Sequence, residues 1–162
     1  MIPIRHATER DADAIAKLAN DLGYLTDSDG VRTGIIALSL SNSDSLFVAT
    51  DSSDQPLGWL HAHSAYLLES GIRVEILGLV VSTAVRRRGV GRALVTAAER
   101  WAASLGAKAV VVRSSVRRVE SHAFYPAIGY DTIKTQTVYR KPMQSLYRSD
   151  GRDPDGRSLI IF

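Results

Sequence analysis

A chain of 162 residues with 45% apolar and 23% charged residues has ordinary globular composition, and it is long enough to bury roughly two thirds of the surface its unfolded form exposes. Lys and Arg number 20 against 17 Asp and Glu, a net charge of +3 with no long basic arm, which disfavours a nucleic-acid partner. Zero cysteines exclude disulfides, thiolate metal sites and a cysteine nucleophile, and with no 18-residue apolar run and no apolar stretch in MIPIRHATERD the expectation is a cytoplasmic protein without a membrane span.

The opening IPIRHA alternates like a short strand, and Thr8 with Asp11 has capping-box spacing, Asp standing in for the usual Glu. Ile15, Leu18, Ala19 and Leu22 follow at helical spacing, with Gly23 as a stop. Residues 24–34 are polar and turn-rich and read as mobile, ahead of a weakly helical IIALSL. SLFVAT (45–50) predicts a strand, DSSDQP a turn, and LGWLHAHSAYLL (57–68) the second arm of a hairpin. IRVEILGLVVS (72–82) is nearly continuous apolar sequence rich in β-branched residues, which predicts a central strand. It runs directly into RRRGVG, after which Val90, Leu94, Ala98, Trp101 and Leu105 mark one face of a helix ended by Gly106. KAVVVRS predicts a further strand, VESHAFYPAIG (119–129) a short helix and TQTVYRK (135–141) a last strand. No repeat or long linker divides residues 1–142, and residues 143–162 form a turn-rich extension whose apolar end, SLIIF, is expected to dock on the domain or on a partner subunit.

The segment between the central strand and the long helix carries the most chemical information. A helix N-terminus offers unpaired N–H groups and a partial positive charge, so a glycine-rich turn entering it suits phosphate oxygens. A dinucleotide fingerprint would need Gly or Ala where Leu94 stands and an acidic residue about twenty positions on, where Lys108 and Arg113 lie instead. Nothing here matches a P-loop either.

The pattern Arg86-x-x-Gly89-x-Gly91, directly after an apolar strand, together with SHAFYPAIGY further on, resembles the GNAT superfamily of acyl-CoA-dependent N-acetyltransferases over roughly residues 2–142. The resemblance implies a mixed α/β fold whose mostly antiparallel central sheet is splayed at the cofactor cleft and flanked by helices. It implies transfer of an acetyl group from acetyl-CoA to a primary amine, on a small molecule or a peptide, by a homodimer that needs no metal. In such proteins the turn's amides hold the CoA pyrophosphate, here among Arg86, Arg87, Arg88, Gly89, Val90, Gly91 and Arg92. The strand edge that pairs with the pantetheine arm corresponds to Leu79, Val80 and Val81, and Ser121 and Tyr125 lie where the later motif meets the cofactor. The alternative from another class is a catalytically silent acyl-CoA-binding or sensing module.

Attack on a thioester needs a neutral amine, and bringing an alkylammonium of pKa near 10.4 to that state at pH 7 costs roughly 4.6 kcal/mol. Glu75 is the candidate base: it is the one carboxylate in the apolar strand, and it lies fourteen residues before Gly89, a spacing that resembles the glutamate of the histone-acetylating branch. Tyr125 is the candidate acid, positioned by the resemblance near the CoA sulfur. Pro126, immediately after it, is expected to kink the helix. Arg118 and Ser121 depart from the Asn and Ala common in relatives. His61 and His63 alternate on one side of their strand, where a substrate-facing role, ordinary strand surface and, with few ligands near, a metal site stand as readings. His122 reads as a helix residue beside the cofactor, Phe124 as core, and Trp59 and Trp101 as core rather than stacking platforms.

Overall fold

The computed structural model describes residues 2–141 and divides the chain into two units, one ending at Gly129 and one beginning at Tyr130. The first holds five strands in spatial order β1-β2-β3-β4-β5: β1 (Ile4–His6), β2 (Asp44–Thr50), β3 (Pro56–Leu67), β4 (Gly71–Val81) and β5 (Val110–Val112). The first four pair antiparallel, and β5 joins β4 in parallel. Four helices accompany the sheet: α1 (Ala12–Asn20), α2 (Ser28–Ser39), α3 (Val90–Ser104) and α4 (Val119–Ala127). The mixed, mostly antiparallel sheet expected from the sequence is the one observed.

Two apolar layers sandwich the sheet. On one face Ala12 and Ile15 of α1 and Ile35 of α2 pack with Val48, joined by Leu46 and Trp59. The registers Val48↔Trp59 and Leu46↔His61 place these side chains and His61 on that same face. Leu60, Phe47 and Ala62 alternate to the other face, and α3 contributes the buried Leu94, Val95 and Ala98 to the core. Close packing there demands glycine at Gly58: a Cβ would lie 2.6 Å from the Val80 carbonyl oxygen and 3.2 Å from the Val81 Cα. Backbone cannot yield as a side chain does, so Gly58→Ala is expected to lower stability by about 1–3 kcal/mol, read from the midpoint of urea unfolding.

Three local expectations change. The segment 24–34, read as turn-rich and mobile, contains the first turns of α2, because the Asp27 side chain accepts the Gly30 N–H at 2.7 Å and Asp29 sits in the first turn of the positive end. The capping box is present, with Asp11 accepting the Thr8 N–H at 2.8 Å, but it opens a 3-10 turn over Glu9–Asp11 before α1 begins. Asp11 also takes a two-pronged bond from Arg5 at 2.8 Å to each oxygen. Burial pushes its carboxyl upward, yet Arg5 and the Thr8 N–H more than offset this and hold it below the usual aspartate value. Residues 135–141, expected as a closing strand, pair with no strand: 131–141 are exposed and carry no regular structure, since period-2 sequence becomes a strand only where a ladder partner meets it. The SLIIF terminus lies outside the described residues.

Candidate active site

β4 pairs with β5 over Val74, Ile76 and the intervening Glu75, against Val110, Val112 and Val111. Beyond Ile76 no pairing with β5 continues, and among the described residues β4 runs on to Val81 against β3 alone. At the parting point a bulge interrupts the β3–β4 register: His61 opposes Gly78 and Ala62 opposes Ile76, leaving Leu77 as the extra residue. Leu77 is 54% exposed. The sheet is open here, and Leu79, Val80 and Val81 lie on the stretch of β4 whose outer edge has no strand partner among the described residues.

That edge ends in the glycine-rich turn. A 3-10 turn, Thr83–Val85, leads into Arg86, and then Arg87 (φ 61°) and Gly89 (φ 85°) take left-handed backbone conformations. Left-handed residues alternating with others in a short turn aim successive N–H groups inward, the geometry of an anion nest. Gly89 is the N-cap of α3, so no side chain caps the first turn, and that turn carries no acidic residue. The Val90, Gly91 and Arg92 amides are therefore left without helical partners at the positive end of a 15-residue helix. α2, by contrast, has its first turn capped by the Asp27 side chain.

The arginines of the motif divide in role. Arg86 Nη1 lies 3.0 Å from Glu120 Oε2 at the start of α4, and Arg92 Nη2 donates to the Ala127 carbonyl at its end, 3.2 Å away. Both guanidinium groups therefore brace α4 against the turn, whereas Arg87 and Arg88 are exposed on the turn itself. Gly91 completes the junction: a Cβ there would meet Phe124 Cζ at 3.2 Å, so the start of α3 and the middle of α4 touch directly. Phe124 packs here, edge-on to Tyr125 with ring centroids 5.1 Å apart.

α4 runs without interruption through Pro126 to Ala127. Proline falls in the last turn, where the loss of one amide bond is least disruptive, and the Ile128 N–H closes on the Tyr125 carbonyl at 3.1 Å. Burial pushes the Tyr125 phenol up from its ordinary value, with the positive charge of Arg118 pulling the other way. Arg118 stacks over the Tyr24 ring at 5.5 Å from its centroid and donates to the Tyr24 hydroxyl, tying the α1–α2 loop to the start of α4. Ser121 is half-buried in the first turn of α4, where His122 is exposed with its Nε2 3.1 Å from the Ser115 carbonyl.

The strand parting is crossed by charge. Glu75, with a side chain 14% exposed, is held on one oxygen by Arg113 Nη1 at 3.0 Å, just past the end of β5, and approached on the other by Arg73 Nη2 at 3.7 Å. Directly opposite Glu75 in the register is His63, and opposite His63 is Asp44 of β2, three residues in a row across one face. Asp44 Oδ1 lies 3.0 Å from His63 Nδ1 and 2.9 Å from His61 Nε2, and its other oxygen accepts the Ser41 hydroxyl at 2.6 Å. Burial raises the Asp44 carboxyl, but Ser41 and the two imidazoles outweigh it and leave the group lowered. Sequence reasoning singled out Glu75, His61 and His63 and missed Asp44, Arg73 and Arg113. Asp44 could have been found as a carboxylate at the entry of a strand, but its meeting with the histidines depends on hairpin register. Among the described residues, no group of three or more His, Asp or Glu is arranged to hold a metal ion, and no helix is long and apolar enough to cross a membrane.

A strand edge running into a helix N-terminus without a side-chain cap, with the half-buried Tyr125 on the helix beside it, is the arrangement that the sequence resemblance leads one to expect. The chain belongs to the acetyltransferase (GNAT) family, whose model matches residues 12–130. It is 26% identical to the aminoglycoside N(6')-acetyltransferase type 1 of Stenotrophomonas maltophilia, over 87% of this chain and 94% of that one. It is 27% identical to the aminoalkylphosphonate N-acetyltransferase of Salmonella typhimurium, covering 78% and 83%. Among solved structures, AAC(6')-Iy in complex with the bisubstrate analog CoA-S-monomethyl-acetylneamine superposes with a TM-score of 0.78 at 20% identity, covering 88% of this chain and 99% of that one.

Proposed function

We propose that this acetyltransferase moves the acetyl group of acetyl-CoA directly onto the primary amine of a small molecule. The observation that carries the reading is the continuity of the open β4 edge, Leu79 to Val81, with the uncapped amides of Val90, Gly91 and Arg92. The edge offers backbone partners to an extended pantetheine arm, and the amides offer a cradle to the pyrophosphate. Arg87 and Arg88 add positive charge on the approach, while Arg86 and Arg92 contribute mainly by placing α4. Ser121, in the first turn of α4, is read with the cofactor residues by the family resemblance.

In the reaction the amine nitrogen bonds to the thioester carbonyl carbon and the C–S bond breaks. Tyr125 gives its phenol proton to the departing thiolate and is refilled by the proton that the new amide nitrogen sheds. Glu75 stands where the pairing of β4 with β5 ends, its carboxylate faced by Arg113 and Arg73. The two curated relatives, named for a polycationic class of amine and for an amine bearing a phosphonate, support a small-molecule acceptor and leave its class to a screen. The reading takes residues 1–142 as the catalytic domain and 143–162 as an extension. It extends to a cytoplasmic homodimer, for which the absence of cysteine and the family resemblance are the support.

Calorimetric titration with acetyl-CoA, followed by thiol-release kinetics over a panel of aminoglycosides, aminoalkylphosphonates, polyamines and amino acids, tests this. Saturable acetyl-CoA binding and amine-dependent thiol release are expected, whereas absence of acetyl-CoA binding would sink the proposal. Binding without acceleration by any amine would establish a silent acyl-CoA module instead.

A further inference from the structure

We propose that the proton of the attacking amine is taken by His63, held in place by Asp44, and not by Glu75. The inference rests on the acetyl-transfer reading above and concerns which residue serves it.

Glu75 is poorly disposed to accept a proton. Arg113 occupies one oxygen at 3.0 Å and Arg73 stands 3.7 Å from the other, so both directions from which a proton would arrive are faced by guanidinium groups. The observed work of Glu75 is to join β4 to the residue that follows β5.

His63 is differently placed. It is directly opposite Glu75 in the β3–β4 register and shares its face of the sheet, so it lies one strand away from the point where β4 and β5 separate. Its Nδ1 is 3.0 Å from Asp44 Oδ1. Since the two nitrogens of an imidazole point in nearly opposite directions, Nε2 is directed away from β2, and among the described residues it has no hydrogen-bond partner. The side chain is 40% exposed, open enough to meet a substrate and to release a proton to water. With Asp44 accepting from Nδ1–H, the free Nε2 carries the lone pair, the tautomer a base requires. His61 spends its Nε2 on the same Asp44 oxygen and stands opposite Gly78 rather than Glu75. The Ser41 hydroxyl at 2.6 Å fixes the second Asp44 oxygen, so the carboxylate is anchored from β3 and from the α2–β2 turn.

The balance is simple. His63 Nε2 takes one proton from the ammonium, giving the neutral amine that attacks, and passes that proton to solvent. The second amine proton replaces the one Tyr125 gives to sulfur, so each turnover converts an ammonium and a thioester into an amide, a thiol and one free proton. Asp44 is a positioning residue: it orients the imidazole and stabilises the imidazolium without touching the amine.

The groups around His63 that carry charge are Asp44 on β2, His61 on β3, Arg73 and Glu75 on β4, and Arg113 after β5. The pH dependence of kcat/KM for the amine separates them. In the intact enzyme the rate rises with pH as an imidazole loses its proton. His63→Gln is expected to lower kcat/KM about 100-fold at pH 7 and to remove that rise, with the acetyl-CoA dissociation constant within twofold of the parent. Imidazole added to His63→Ala should restore part of the rate. Asp44→Asn should lower the rate about tenfold while the rising limb persists, because the substitution removes the carboxylate that orients the ring but leaves the imidazole. Acetyl-CoA affinity reports whether each variant is folded. The proposal is overturned if His63→Gln retains the parent rate within threefold and the limb persists, or if Glu75→Gln abolishes the limb while His63→Gln keeps it. A wild-type chain that binds acetyl-CoA and acetylates no amine overturns the parent reading, and this assignment with it, before any variant is made.

Discussion

Gly91→Val is expected to weaken acetyl-CoA binding by about 10- to 100-fold, a loss of roughly 1.4–2.7 kcal/mol, in a chain that still folds. A Cβ at this position would lie 3.2 Å from Phe124 Cζ, 3.4 Å from Phe124 Cε2 and 3.7 Å from Val81 Cγ2. A valine adds two methyls to that space, so Phe124 must retreat, and Phe124 is the neighbour of Tyr125 on a helix otherwise held by Arg86 and Arg92. Position 91 is the second residue of α3, and its amide is one of those that the proposed cradle uses. By comparison, Arg87→Ala or Arg88→Ala removes an exposed charge worth about 0.3–1 kcal/mol, a fivefold effect at most and one that salt erodes. Titration calorimetry of the three variants at two salt concentrations distinguishes the contributions. If an exposed arginine costs as much as Gly91, the cradle is made of side chains and the backbone account fails.

The order of severity follows from which features were legible in the sequence. The strand, glycine-rich turn and helix around VRRRGVGRAL are local, and their signal survives in one dimension: β-branched residues up to Val81, then glycine, then apolar positions at helical spacing from Val90. The hairpin of β2 and β3 was equally plain because DSSDQP separates two strand-like runs. What the sequence hid is what register decides. Asp44 becomes a partner of His61 and His63 through pairing seventeen and nineteen residues away, and a slip of one residue would turn its side chain to the other face. The splay was inferred from resemblance, but its cause is the length of β5: KAVVVRS yields a strand of three residues, so β4 outruns its parallel neighbour. The arginines misled in a third way. Their number in one stretch suggested anion contacts, whereas two of them reach α4, and no local pattern announces a partner at Glu120 or at the Ala127 carbonyl.

Tyr125→Phe is expected to lower kcat about 100-fold with the acetyl-CoA dissociation constant changed by less than twofold. The hydroxyl is what the substitution removes; the ring stays, along with its edge-on packing against Phe124, so the helix and the cradle beside it are undisturbed. A fall confined to kcat marks an interaction made as the C–S bond breaks, while an equal loss in affinity would make Tyr125 a binding residue. The pH profile adds an independent check of sign. The phenol must be protonated to supply the thiolate, so activity falls at alkaline pH as the phenol ionises. Burial displaces that ionisation upward from its ordinary value near 10, and Arg118 opposes the displacement. The parent enzyme's alkaline decline should therefore lie above the ordinary phenol range, and Tyr125→Phe should show no alkaline decline of this origin. Arg118→Ala, by removing the opposing charge, should carry the parent's decline to still higher pH. A decline that survives in Tyr125→Phe would assign proton delivery to another group or to water, and would leave α4 with the task of holding the cofactor alone.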